Sequence, residues 1–294
     1  SGLTSLTIPY GVTDLTIGSN AFSGSSLASL IIPDSVTNLK IGYNAFYNCT
    51  SLTSLEIPDS VTDLTIEMAA FESCTSLASL TIPNSITDLT IGDSVFNFCT
   101  SLTSLTIPDS VTNLTISISA FKDSGLTSLT IPDSVTDLTI DSYAFENCSN
   151  LASLTIPNSV TNLISGDRAF SACGLTSLEI PGSVINFTGI GEKAFVGSNL
   201  NLVTISDTAN STLKVLYYNE GINMINSILE AAPPISDINY TLDLREANSG
   251  ITSYNLNDLI TNTPITRWIV KLNEGEEYTW NNGSWIDLRV LAAA

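Results

Sequence analysis

Residues 52–75 read LTSLEIPDSVTDLTIEMAAFESCT, and residues 27–50, LASLIIPDSVTNLKIGYNAFYNCT, lay down the same pattern one copy earlier. Both reduce to L-x-x-L-x-I-P-x-x-V-x-x-L-x-I-x-x-x-A-F-x-x-C. The leading leucines of successive copies are Leu3, Leu27, Leu52, Leu77, Leu102, Leu126, Leu151, Leu175 and Leu200, in steps of 24 or 25 residues. Eight full copies and a truncated ninth therefore cover residues 1–205 of a 294-residue chain. A fixed period of this size marks a solenoid, in which no single copy can bury its own apolar face and neighbours must stack.

Within each copy the apolar residues alternate twice. Leu52-x-x-Leu55-x-Ile57 runs up to Pro58, and Val61-x-x-Leu64-x-Ile66 follows it. Threonines fill the gaps, so both stretches are predicted as strands. Proline has no N–H to give a ladder, and it ends the first strand in every copy. Asp59-Ser60 then forms a turn pair, expected to bond its own backbone. The i, i+3 spacing of Ala70-Phe71-x-x-Cys74 predicts a short 3₁₀ or helical turn. At about 4.8 Å per step the stack is on the order of 40 Å long.

The string I-P-x-S-V followed by A-F-x-x-C-x-x-L resembles the BspA-like, or Treponema pallidum-type, leucine-rich repeat. The second strand here, V-T-D-L-T-I-G, is two residues longer than the V-x-x-I-G usual in that family. The resemblance implies a right-handed leucine-rich-repeat solenoid with parallel β-ladders. It further implies a bacterial, protist or phage-borne surface protein that binds host or environmental proteins or glycans, with no catalytic residues to carry over.

Composition excludes several function classes. The chain has 29 acidic and 9 basic residues, a net charge of −20, no histidine, and only 13% charged residues against 43% apolar. The missing histidine excludes Ser-His-Asp and Cys-His nucleophile systems. The acidic balance argues against nucleic acid or an anionic membrane as partner, and no apolar run reaches the roughly 20 residues of a spanning helix. No cofactor is expected.

All five cysteines, Cys49, Cys74, Cys99, Cys148 and Cys173, occupy one repeat position, where other copies place Ser25, Ser124 and Ser198. A row of buried free thiols is expected rather than a disulfide framework. Aspartate and asparagine interchange along the second strand, and their expected task is turn capping. Asp63 beside Asp88 is the one weak calcium candidate. Outward strand positions carry mostly serine and threonine, a flat and weakly charged surface. Ile31, Lys40, Glu56 and Glu179 interrupt it, and these four with Phe98 are the off-consensus residues expected to set specificity.

After Ile205 the period stops. Residues 206–291 are expected to form a small α+β capping domain: a helix over Met224–Ala232, strands at Tyr240–Leu244, Trp268–Leu272 and Glu277–Trp280, and a hairpin turn at 281–284. Trp280 and Trp285 are candidates for stacking on sugars. Residues 292–294 look like a vector-derived tail. The first copy starts without a capping segment, so missing upstream sequence or end-to-end self-association is expected. The leading expectation is a non-catalytic extracellular or cell-surface adhesion module. The alternatives are a structural spacer displaying a binding C-terminal domain and, less favoured, a glycan-active enzyme.

Overall fold

The computed structural model describes residues 2–181 continuously, then positions 183, 184, 186, 187, 194, 197 and 198 and the strands 202–205, 212–214, 240–243, 268–273, 276–281 and 284–287. The expected helix over Met224–Ala232 lies outside these residues.

Each copy forms a flattened turn with three sides. The first is a short strand (Ser5–Thr7, Ser29–Ile31, Ser54–Glu56, Ser79–Thr81, Ser128–Thr130, Ser153–Thr155 and onward), which pairs in parallel with its neighbours in register, Leu6 against Leu30 and Leu129 against Leu154. Isolated bridges at Thr106 carry this ladder through the fifth copy. The second side is the strand pair series Asp14–Ile17, Asn38–Ile41, Asp63–Ile66, Asp88–Ile91, Asn113–Ile116 and Asp137–Ile140, also parallel and in register. Alternate residues point inward, so Leu39, Leu55, Leu114 and Ile140 are essentially inaccessible while the serines and threonines between them face out. The proline carbonyl closes the bend between the strands by accepting the N–H three residues on, as from Val61 to Pro58 at 3.0 Å.

The third side differs from the helical turn that the spacing predicts. No helix occurs among the described residues. The segment is a run of reverse turns: Ala45, Tyr47 and Cys49 each donate to the carbonyl three residues back. Residues two before and two after the phenylalanine take left-handed backbone angles, as at Asn44 (φ 54°), Asn48 (φ 56°), Ala69 (φ 55°) and Ser73 (φ 61°). A 3₁₀ helix needs successive right-handed residues, so the alternation forbids it. The i, i+3 spacing survives because each turn still closes an i to i+3 bond.

That alternation frees every second peptide to bond between copies. Asn20, Phe22 and Gly24 donate to Tyr43, Ala45 and Tyr47, and Asn44, Phe46 and Asn48 donate to Met68, Ala70 and Glu72. The pattern continues through Phe145 to Ala169 and Phe170 to Ala194. Beneath it the phenylalanines from Phe22 to Phe170 form one offset stack, with ring centroids 5.2–5.8 Å apart and planes within 18° of parallel. Each buried ring contributes about 1.5–3 kcal/mol by burial alone.

The strand ladders are not continuous. The first is interrupted between Ser29–Ile31 and Ser54–Glu56, the second between Asp63–Ile66 and Asp88–Ile91. The turn column and the phenylalanine stack run across both interruptions.

The shorter 24-residue copies also have a physical basis. Gly125 and Gly174 replace a longer linker between the Cys/Ser position and the next leucine, and their N–H groups bond the Cys99 and Cys148 carbonyls at 3.1 Å. A Cβ on Gly125 would lie 2.1 Å from the Thr100 carbonyl oxygen, and one on Gly174 would lie 2.4 Å from that of Ser149. Nothing lies within 4 Å of the corresponding point at Gly18. Gly125→Ala is therefore expected to cost about 1–3 kcal/mol in chemical denaturation, while Gly18→Ala stays within about 0.5 kcal/mol. Equal effects at the two positions would refute the close-approach account.

Beyond the repeats, strands Thr212–Lys214, Tyr240–Asp243 and Trp268–Asn273 pair in parallel, and Trp268–Asn273, Glu276–Asn281 and Ser284–Asp287 continue antiparallel. The expected strands are present over 240–243, 268–272 and 277–280, and Asn281 pairs with Ser284 at the ends of the expected hairpin turn, whose residues 282 and 283 lie outside the described residues, as does 244.

Candidate functional site

The thiol row comes first, because its chemistry is the most distinctive on the chain. All five cysteines are buried and unbridged. Four of the five thiols hydrogen-bond a phenylalanine carbonyl of the preceding copy: Cys49 to Phe22 at 2.9 Å, Cys74 to Phe46 at 3.0 Å, Cys99 to Phe71 at 3.1 Å and Cys148 to Phe121 at 2.9 Å. Ser25 and Ser124 sit 3.4 Å from Cys49 and Cys148, which explains why serine substitutes there. Burial pushes the Cys99 and Cys148 thiols up to about 12, while a hydrogen bond with the neighbouring Cys49, and then burial, raises Cys74 beyond the ordinary thiol range. Reaction needs the thiolate, so Cys99 and Cys148 are expected to resist a thiol-specific disulfide reagent at pH 8 and to react once guanidinium unfolds the chain. Rapid labelling of either in the folded state would overturn this.

The aspartates and asparagines of the second strand do more than cap turns. Along the row, an asparagine amide donates to the aspartate of the preceding copy: Asn38 to Asp14 at 2.5 Å, Asn162 to Asp137 at 2.5 Å, and Asn113 to Asp88. Threonine hydroxyls reinforce Asp14, Asp88 and Asp137 from the adjacent position. In the second to fifth copies the turn serines likewise bond between copies, not to their own backbone, as Ser35 to Val12 at 2.9 Å, Ser60 to Val36 at 2.8 Å, and Ser110 to Ile86 at 2.6 Å.

Asp63 is followed in the row by Asp88, another acid. The two flank the interruption of the second ladder, and Asp88 is already engaged by Asn113 and Thr87. No group of three or more His, Cys, Asp or Glu able to hold a metal occurs among the described residues. Adjacent like charges on parallel strands repel, so Asp63→Asn is expected to raise Tm at low ionic strength. The gain should vanish near 1 M salt, where screening acts within about 3 Å. Hydrogen bonds from Asn38 and Asn113, then from Thr13 and Thr87, hold the Asp14 and Asp88 carboxyls below the usual range. A lowered folded-state value stabilises above the unfolded value and is lost as pH falls through the folded one. Acid destabilisation below about pH 4 should therefore weaken in Asp14→Asn; an unchanged acid profile would remove this source.

The off-consensus residues fall on two different surfaces. Ile31, 57% exposed, and Glu56 face each other across the interruption of the first ladder. They line a groove of about 460 Å³ with Ile32, Pro58, Asp34 and Asp59. Lys40 lies on the second strand, beside a depression of about 220 Å³ that Asp14, Asn38 and Asp63 share. Its ammonium is 2.7 Å from Glu67 and holds that carboxyl below its usual value. Glu179 occupies the first-ladder register between Thr155 and Thr204. Phe98 sits on the turn flank, away from the strand faces, at a left-handed position (φ 58°) where other copies carry glycine, asparagine, serine, aspartate or alanine. Trp280 and Trp285 are cross-strand partners in the antiparallel hairpin.

Sequence reasoning missed a cluster around Phe98. Tyr43, Tyr47, Met68 and Ile118 are large, exposed and on the same flank. The signal for Tyr43, Met68 and Ile118 was available: three residues before the repeat phenylalanine, other copies carry Ser19, Asp93, Ser142 and Asp167. Beyond the cluster a charged group spans copies, with buried Glu146 2.5 Å from Lys122 and 4.0 Å from Arg168, and the Lys122 ammonium 5.8 Å from the Tyr143 ring.

A stack of short parallel strands, prolines at strand ends, a buried phenylalanine column and a thiol row defines a leucine-rich-repeat solenoid. The model of the BspA-type leucine-rich repeat region, six copies, matches residues 1–118 and 114–231, and the chain belongs to that family. Among solved structures, the chain is similar to a Treponema pallidum leucine-rich repeat protein at 30% identity, covering 57% of this chain and 75% of that one with a TM-score of 0.47. It is also similar to a Bacteroides ovatus leucine-rich repeat protein (24% identity, 82% and 74% covered, TM-score 0.46) and a Faecalibacterium prausnitzii leucine-rich cell surface protein (22%, 90% and 92%, TM-score 0.41). No curated protein matches the sequence. No helix among the described residues is long and apolar enough to cross a membrane. The family is one of repeat modules suited to protein interaction.

Proposed function

We propose that the chain is a cell-surface, non-catalytic adhesion module that holds host or environmental proteins or glycans on the outward faces of its repeats. The observation that carries this reading is the groove at the first-ladder interruption. There the hydroxyl row gives way to Ile31 and Glu56, an exposed aliphatic side chain beside a carboxylate, with Pro58 as a floor and Asp34 and Asp59 at the rim. On either side the outward positions are serine and threonine. A flat hydroxyl surface offers weak, unselective contact; a depression with one apolar and several anionic groups offers an anchor and an orientation. Family membership and the cell-surface name of the Faecalibacterium prausnitzii protein support the extracellular setting. The thiols and the Asp–Asn pairs are committed to bonds between copies, which supports a scaffold role for those rows over chemistry.

An array of extracellular-matrix proteins and glycans, probed with the whole chain, tests the proposal. At least one ligand class is expected above background, and Ile31→Thr with Glu56→Thr should cut its signal about tenfold while leaving Tm within a few degrees. A signal untouched by both substitutions would refute the groove as the anchor. Silence across the array would refute adhesion to these ligand classes.

A further inference from the structure

We infer that the turn flank centred on Phe98 is a second docking surface, shaped for a basic amphipathic segment of a partner protein; this deepens the reading of the chain as a protein-binding module and rests on it. Tyr43, Tyr47, Met68, Phe98 and Ile118 are each 38–48% exposed and belong to four successive copies, the second to the fifth. None is needed by the core, whose stacked rings are Phe46, Phe71, Phe96 and Phe121. Phe98 bears a second cost. Its backbone is left-handed at φ 58°, a region that bulky residues avoid and glycine or asparagine tolerates. A residue that exposes an aromatic ring and strains its own backbone returns nothing to the fold, and such positions collect at binding surfaces.

Charge identifies the occupant. Around the strip, Glu72 accepts from the Asn97 amide at 3.2 Å, Asp93 from the Ile118 N–H at 3.2 Å, and Asp123 from the Asn147 amide at 3.0 Å. Amides hold these carboxylates, whereas Lys40 and Lys122 are spent on Glu67 and Glu146. Asp93 holds the turn position of Tyr43, Met68 and Ile118 in the fourth copy, so the surface is an apolar strip with carboxylates both within it and beside it. A second copy of this chain would set carboxylates against carboxylates. Met68 and Ile118 lack the flat π face that a sugar ring stacks on. A peptide segment with an aliphatic stripe and flanking lysines or arginines satisfies both features. The strip spans three inter-copy steps of about 4.8 Å, roughly 15 Å, which matches about three turns of helix with anchors at i, i+3 or i+4, i+7, and i+10 or i+11.

The test uses the full chain and a labelled 14-residue leucine–lysine amphipathic helix at about 0.3 M salt, where long-range charge attraction is screened. Polylysine of equal length, a leucine–glutamate helix and a neutral oligosaccharide are the comparators. The leucine–lysine peptide is expected to bind saturably. Phe98→Asn should weaken it at least tenfold while Tm stays level or rises, and Met68→Ser or Ile118→Ser should weaken it several-fold. Ile31→Thr should leave it unchanged. Equal binding of polylysine or of the leucine–glutamate helix would overturn the inference, as would unaltered affinity in both Phe98→Asn and Met68→Ser. If Phe98→Asn does not fold, Met68→Ser decides. Oligosaccharide binding lost in Phe98→Asn would reassign the strip to glycans and overturn the peptide assignment. Each of these failures leaves the Ile31–Glu56 groove standing, since its array signal depends on different residues.

Discussion

Every other part of this solenoid hangs on the hydrogen bonds that join one copy's turn segment to the next. The strand ladders open in two places, between the second and third copies on one side and the third and fourth on the other. The turn column does not. It is also where the buried rings stack and where the thiols find their carbonyl partners. A buried thiol is a poor donor, yet at this position it fills space as a small apolar group and still answers a carbonyl. Serine is as compact and pairs instead with the neighbouring thiol, Ser25 with Cys49 and Ser124 with Cys148, so the two alternate without disturbing the column.

This division of labour separates stability from recognition. The column fixes the spacing of the copies, and the strands are then at liberty to vary outward. Where a ladder opens, a groove appears, and the non-consensus residues Ile31 and Glu56 stand at its two walls. On the second strand the Asp–Asn alternation serves cohesion, each amide satisfying the carboxylate behind it. The one place where acid follows acid coincides with the second opening. Repulsion and loss of the ladder reinforce each other there.

Much of the architecture was legible in the sequence because repetition amplifies a weak signal. One Leu-x-Ile stretch is ambiguous; eight in register are not. The period gave the stacking, the prolines gave the strand ends, and the single-position cysteines gave a row of free thiols. The turn segment was misread for a definite reason: consecutive reverse turns and a 3₁₀ helix share the i, i+3 spacing and differ only in the sign of φ at alternate residues. Asparagine, glycine and serine at those residues hint at the sign, but Ala69, Tyr143 and Arg168 adopt it too, so tertiary bonding overrides local preference. The exposed cluster of Tyr43, Met68 and Ile118 escaped notice for the same reason. With the turn taken as helix, those positions had no assigned face. Bonds between copies were invisible as well, since Asp59-Ser60 or Asn38 read alone suggest only local capping.

The turn column has a direction. Its inter-copy peptides all present N–H toward the C-terminal end and C=O toward the N-terminal end, whereas in the strand ladders donors and acceptors alternate and their dipoles largely cancel. Summed over the described copies, the aligned peptides make a rod with a positive pole at its C-terminal end, an arrangement otherwise met in an α-helix, there with the opposite sense. A copy laid on the stack upside down would bring carbonyl against carbonyl along the whole flank. Polarity of assembly is thus written into the backbone itself, independent of any side chain, and duplication of the repeat can lengthen the rod only head to tail.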